Sequence, residues 1–249
     1  MKPSPRLQTD ARTWRVYVWE WPVRIAHWLM VLSLILLSVT GYYIYRPFLI
    51  ASGGYVMAIM RFTHVLSGFV FLVAILLRIC WMFMGNPWAR WNQFVPTQRG
   101  RWTNMARTAQ FYSFLRWRPI PTIGHNALAG AAYTVVYVLA VIEILTGLAL
   151  YSHILGSRFW AALTGWPLRL IDIQYVREIH FILMFTFWMF FLHHIYSSLL
   201  ISSEEKAGVM ESIFSGYKFV SEGDLQRESV ALPEAQDNRA AQPAEQVPR

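Results

Sequence analysis

Residues Ile179–Ser203 read IHFILMFTFWMFFLHHIYSSLLISS, 25 positions without an aspartate, glutamate, lysine or arginine. An α-helix rises about 1.5 Å per residue, so roughly 20 such residues cross about 30 Å of hydrocarbon. The stretch is long enough to span a bilayer. Two of its histidines, His180 and His194, stand 14 positions apart. That is almost four turns, which puts them on nearly the same face and about 21 Å apart along the axis. One helix can therefore serve two sites at different depths.

Working outward, Ile25–Tyr45 offers 21 further uncharged positions. Phe62–Met84 carries only Arg78 and Ile123–Tyr151 only Glu143. Arg78 lies near the end of its segment, where a long side chain is expected to reach the headgroups. Glu143 lies well inside, where it is expected to face protein or become neutral, with a structural hydrogen-bonding role favoured over proton handling. A chain of 249 residues, 55% of them hydrophobic, with a mean hydropathy of +0.34, is a poor match to a small soluble domain. The reading is all-α: an integral-membrane four-helix bundle over residues 25–203. A cytoplasmic amino-terminal segment covers 1–24, a cytoplasmic extension 204–225 and a disordered tail 226–249, the last rich in Ala, Pro, Glu and Gln. No small-residue cleavage site follows the first apolar run, so an uncleaved first span is expected rather than a signal peptide. The single cysteine, Cys80, excludes a disulfide framework and an iron–sulfur centre made by this chain alone.

The net charge of +8 is distributed around the spans. Lys2, Arg6, Arg12, Arg15 and Arg24 precede the first span, and Arg90, Arg99, Arg101, Arg107, Arg116 and Arg118 fill the connection between the second and third with no acidic residue. The first connection has only Arg46 and Arg61, and the third balances Arg158, Arg169 and Arg177 against Asp172 and Glu178. The positive-inside rule places both termini and the middle connection in the cytoplasm. Arg90-Trp91, Arg101-Trp102 and Arg116-Trp117-Arg118 interleave aromatic and basic residues. This suits an interfacial segment meeting anionic lipid and gives no reason to invoke nucleic acid.

Orientation supplies partners for the two histidines of the last span. His27 lies near the inner end of the first span and His64 near the outer end of the second. Depth matching pairs His27 with His194 at an inner site and His64 with His180 at an outer site. Opposed neutral imidazoles fill both axial positions of a haem iron, and saturated ligation suits electron transfer. Two isolated pairs do not make a three- or four-ligand zinc centre. The bland alternative, polar residues that merely bridge helices, remains open. His193 points about 100° away from the face set by His180 and His194. His125 and His153 lie near the boundaries of the third span, where haem propionates, quinone or interfacial polar groups are all open to them. Gly41, Gly68 and Gly147 interrupt apolar helices, which either admits the edge of a porphyrin or allows close helix packing.

The residues around these histidines resemble the cytochrome b subunit of membrane-bound nickel–iron hydrogenases. The matching stretches are Glu20-Trp21-Pro22-Val23-Arg24-Ile25-Ala26-His27-Trp28, Arg61-Phe62-Thr63-His64 followed by Ser67-Gly68, and Ile123-Gly124-His125-Asn126. Further along come Thr146-Gly147-Leu148-Ala149-Leu150-Tyr151-Ser152, His180 with His194-Ile195-Tyr196, and Gly216-Tyr217. The resemblance runs over residues 16 to 220. It implies a bacterial inner-membrane, four-helix cytochrome b with two haem b groups, with His27, His64, His180 and His194 at the axial-ligand positions. His193 stands where a small residue is expected in some relatives.

The same resemblance implies partners. Electrons come from the iron–sulfur centres of the hydrogenase small subunit to the outer haem and leave the inner haem for a membrane quinone. Hydrogen is split by the nickel–iron large subunit, so this chain is an electron-transfer subunit of a hydrogen:quinone oxidoreductase and not the hydrogen-splitting one. The competing readings are the cytochrome b of a formate dehydrogenase or thiosulfate reductase, and a haem-free scaffold or transporter.

Overall fold

The computed structural model describes residues 13–47, 55–97, 99–117, 120–231 and 241–243. Lys2, Arg6, Arg12 and Arg118 of the charge argument lie outside the described residues, as does most of the tail. In chain order the elements are β1 (Thr13–Tyr17), α1 (Trp21–Tyr45), α2 (Tyr55–Met84), a 3-10 turn (Trp91–Gln93) and α3 (Arg99–Tyr112). Then follow α4 (Ala127–Leu155), α5 (Arg158–Thr164), α6 (Pro167–Leu170), α7 (Ile173–Glu205), α8 (Val209–Ser215), β2 (Tyr217–Ser221), α9 (Glu222–Ala231) and β3 (Ala241–Pro243). α1, α2, α4 and α7 are long and apolar enough to cross a membrane. A helix is suited to that task because it satisfies its backbone polar groups internally.

The chain divides into two compact units, one of residues 22–82 and 131–196, the other of the remainder. The first holds most of each of the four long helices. At its centre Phe71 and Ile75 of α2, Ala140 of α4, and Leu183 and Phe187 of α7 are buried, with Met30, Leu34 and Leu37 of α1 packed against them. Lipid tails are as apolar as leucine, so burial alone does not hold such helices together. Close van der Waals packing does, and it favours small residues at the contacts. The buried positions fit that physics: Ala26, Ser33, Ser38 and Thr40 on α1, Ser67 and Ala74 on α2, Ala140, Thr146 and Ala149 on α4. Large apolar side chains such as Leu32, Leu66, Val135 and Met189 turn outward. Ser38 donates its hydroxyl to the Leu34 carbonyl at 2.7 Å, so its polarity is absorbed within its own helix.

Arg78 departs from its expected place. It is 2% exposed and hydrogen-bonds Tyr137 of α4. A charge in the helix interior is held by a partner rather than extended to the headgroups.

The second unit contains the three-stranded sheet, in the order β2-β1-β3 with antiparallel neighbours. β1 lies in the segment expected as a basic cytoplasmic amino-terminal stretch. Its register on β2 runs from Thr13 opposite Ser221 to Tyr17 opposite Tyr217. The turn from α8 into β2 requires Gly216. Its φ is +89°, and an added Cβ would lie 2.5 Å from the Tyr17 ring and 2.8 Å from the Trp19 carbonyl. The Gly216 carbonyl accepts the amides of Val18 at 2.8 Å and Trp19 at 3.0 Å, and Trp19 donates its indole N–H to Ser212 at 3.0 Å. Lys218 is buried, donating to the Thr122 carbonyl at 2.8 Å with Glu205 at 3.8 Å. Of the tail, residues 226–231 complete α9 and 241–243 pair with β1.

Asn126 starts α4, accepting the Ala129 amide at 2.7 Å, and Asp172 starts α7, accepting that of Gln174 at 2.8 Å. Both are side-chain N-caps. They fix where the histidine-bearing helices begin.

Candidate metal centres

The helical unit brings the four histidines together as two pairs. His64 of α2 and His180 of α7 have ring centroids 6.3 Å apart at an interplanar angle of 72°. His27 of α1 and His194 of α7 are also 6.3 Å apart, at 53°. The 14-residue separation on α7 sets the pairs about 21 Å apart along that helix.

Around the first pair the same device occurs twice. Thr40 Oγ1 lies 3.0 Å from His64 Nδ1, and Thr146 Oγ1 lies 3.0 Å from His180 Nδ1. Each threonine hydroxyl already has an acceptor for its proton. For Thr40 it is the Leu36 carbonyl at 2.6 Å; for Thr146 it is the Ile142 and Glu143 carbonyls, both at 2.9 Å. With that proton committed, the hydroxyl oxygen accepts, and the histidine donates from Nδ1–H. The tautomer follows: Nε2 carries the free lone pair on both rings. The residue after each threonine is a glycine. A Cβ on Gly41 would meet His64 Cε1 at 3.0 Å, and one on Gly147 would meet His180 Cε1 at 3.0 Å. These glycines make room for the imidazoles themselves, whereas Gly68 would meet only Leu37 at 3.9 Å.

The two rings differ in one respect. Glu143 Oε1 lies 3.3 Å from His180 Nδ1, while Glu143 Oε2 is buried without a hydrogen-bond partner. At the other pair, Tyr133 presents its hydroxyl 3.2 Å from His194 Nδ1, Phe190 stacks on the His194 ring at 5.6 Å, and His27 Nδ1 is buried without a partner.

Whether these residues suit an iron porphyrin is a question of room and donor type. Two metal–imidazole bonds of about 2.0 Å, with roughly 1.1 Å from each nitrogen to its ring centre, separate two centroids by about 6.2 Å. Both pairs stand at 6.3 Å. A haem brings four nitrogens of its own and asks the protein for two. Among the described residues no three His, Cys, Asp or Glu side chains gather as a metal cluster, so neither pair offers the three or four donors of a zinc-type site. The donor set fits haem iron at both pairs.

The other histidines stand elsewhere. His193 and His153 are exposed. His125 precedes α4 in the second unit, its ring 4.7 Å from that of Trp19 and 5.3 Å from that of Phe94. Sequence reasoning gave no role to Thr40, Thr146 or Tyr133, although Thr146-Gly147 stood among the matching stretches and the same dipeptide occurs at 40–41.

Comparisons with known proteins identify the family. Residues 18–216 match the family model described as prokaryotic cytochrome b561. A probable Ni/Fe-hydrogenase B-type cytochrome subunit of Bradyrhizobium diazoefficiens is 35% identical over 209 residues, covering 81% of this chain and 85% of that protein. Proteins so named in Azotobacter vinelandii and, as the hydrogenase 1 subunit, Escherichia coli K12 are each 34% identical, over 82% and 81% of this chain and 88% and 90% of their own lengths. With four helices suited to crossing a bilayer, the chain is a multi-pass membrane protein. It belongs to the prokaryotic cytochrome b561 family, among the cytochrome b subunits of membrane-bound nickel–iron hydrogenases.

Proposed function

We propose that this chain is the membrane electron-transfer subunit of a hydrogen:quinone oxidoreductase in a bacterial inner membrane. Its partners are the small and large subunits of a nickel–iron hydrogenase, and its acceptor is a membrane quinone. His64 and His180 hold one haem b and His27 and His194 hold the other, within a membrane domain spanning residues 25–203. A haem held by the two imidazoles of a pair would supply one-electron exchange at its iron, which suits electron transfer. The supporting observation is the repetition of one spacing at two depths: two imidazole pairs at 6.3 Å, each with one member on α7.

The chain's residues hold and orient. Thr40 and Thr146 keep Nε2 of the first pair free for iron, and Tyr133 does the same for His194 when Nδ1–H donates to its oxygen. Packing of Phe71, Ile75, Leu183 and Phe187 between the two levels keeps water out of the path. With both termini cytoplasmic, the His64–His180 pair faces the outside, where the small subunit delivers electrons, and the His27–His194 pair faces the inside, where quinone is reduced.

The test is spectroscopy of the native assembly. Reduced-minus-oxidised spectra of gently prepared membranes should show two b-type components. His64→Ala or His180→Ala should remove one of them and abolish hydrogen-dependent quinone reduction, with the hydrogenase pair co-purifying. Variants with full haem content and unchanged quinone reduction, or a parent chain without b-type absorbance, would overturn the reading. Co-purification with a molybdenum enzyme would reassign the donor to formate or thiosulfate chemistry.

A further inference from the structure

The hydrogen bonds to the four rings are unequal, and the inequality has a direction. At the outer pair each Nδ1 has a threonine oxygen at 3.0 Å, and His180 has in addition a carboxyl oxygen at 3.3 Å. At the inner pair His194 has a phenol at 3.2 Å and His27 Nδ1 has no partner. An acceptor at Nδ1 draws on the imidazole proton, makes the ring a stronger donor through Nε2, and so stabilises the higher charge on a bound iron. Glu143 sharpens the point. A carboxyl group inside an apolar span is expensive to bury, and Glu143 leaves one oxygen unsatisfied there while placing the other beside His180.

Resting on the haem assignment above, we propose that Thr40, Thr146 and Glu143 are positioning residues that hold the outer imidazoles by Nδ1 and set the outer site's reduction potential below the inner site's. Electrons arriving at the outer site then pass inward downhill. The bias lies in the hydrogen bonds to the ligands, since the ligands themselves are identical at the two sites.

The experiment is a redox titration of the two b-type components in membranes carrying the full chain and its partners. The component absent from His64→Ala is the outer one. In the parent it should titrate below the other. Thr146→Val, Thr40→Val and Glu143→Leu should each raise its midpoint and leave the inner midpoint in place. The expected size is roughly a tenfold change in the oxidised-to-reduced ratio at fixed ambient potential, about 59 mV for one electron. Thr146→Ser, which keeps the hydroxyl, should restore the parental midpoint, and the low-spin ferric electron paramagnetic resonance signal should change for the outer component alone. If Thr146→Val loses the outer component, Glu143→Leu decides: a raised outer midpoint supports the proposal and an unmoved one overturns it. Parental midpoints in both Thr146→Val and Glu143→Leu, or an outer midpoint above the inner in the parent, overturn it while leaving the haem assignment standing. A parent lacking two b-type components removes the haem assignment and this inference together.

Discussion

Gly41 and Gly147 press against the edges of the His64 and His180 imidazoles, and the smallest side chain is enough to test what that contact does. Gly41→Ala or Gly147→Ala places a methyl at 3.0 Å from the ring, a crowding that costs about 1–3 kcal/mol in a packed interior. Outer-haem absorbance should fall in both, with the inner component kept. Gly68→Ala, with only Leu37 at 3.9 Å, should leave both components intact. A second residue-scale expectation concerns Arg78. Tyr137→Phe removes an acceptor from a buried guanidinium and should lower stability by about 1–3 kcal/mol, read as a lower melting temperature in detergent; Arg78→Met, which removes the charge as well, should be milder. At this scale the histidines were legible because helical period and depth both constrain them, and the pairs that spacing suggests are the pairs that stand together. Thr40, Thr146 and Tyr133 were not, because a threonine or tyrosine in an apolar helix usually satisfies itself on its own backbone or faces an interface. Arg78 was misplaced because distance from a segment end says nothing about which way a side chain turns. Its partner lies on another helix.

At the scale of elements, the charge-free runs and the helices do not share their bounds. The third span was expected from Ile123 to Tyr151 and is helical from Ala127 to Leu155, because Asn126 caps it. α7 begins at Ile173, six residues before its apolar run, because Asp172 caps it and a helix tolerates Arg177 and Glu178 outside the lipid. Asn126→Ala should cost about 0.5–2 kcal/mol, visible as faster amide exchange in the first turn of α4. The sheet escaped notice for a different reason. Thr13–Tyr17 is a five-residue strand whose partner, Tyr217–Ser221, lies some 200 positions further on, so no local pattern announces the pairing. Gly216→Ala tests that closure. Its positive φ and its contact with Tyr17 should together cost about 1–3 kcal/mol, seen as loss of exchange protection at Val18 and Trp19, whose amides the Gly216 carbonyl accepts.

For the whole molecule, arginine asymmetry and span count carry the proposed topology. Alkaline phosphatase fused after residue 205 should be inactive, and fused within 156–172 should be active, whereas the reverse pattern would turn both haem levels upside down. Fold class and family were legible at this scale because four spans and an ordered set of motifs survive any uncertainty about single residues. What sequence could not convey was how the carboxyl-terminal extension folds back, since the buried Lys218 and its Thr122 and Glu205 neighbours are remote from one another along the chain. One further property follows from a ligand of each pair sitting on a single unbroken α7. The gap between the two imidazole pairs is written as a number of residues, so loop movement and thermal breathing leave it nearly fixed. Inserting one alanine between Phe187 and Trp188 would rotate His194 by about 100° against His180 and advance it by about 1.5 Å, so that only one pair could stay together. On the proposed haem assignment, tunnelling between the two pairs is thus governed by covalent bookkeeping within one rod.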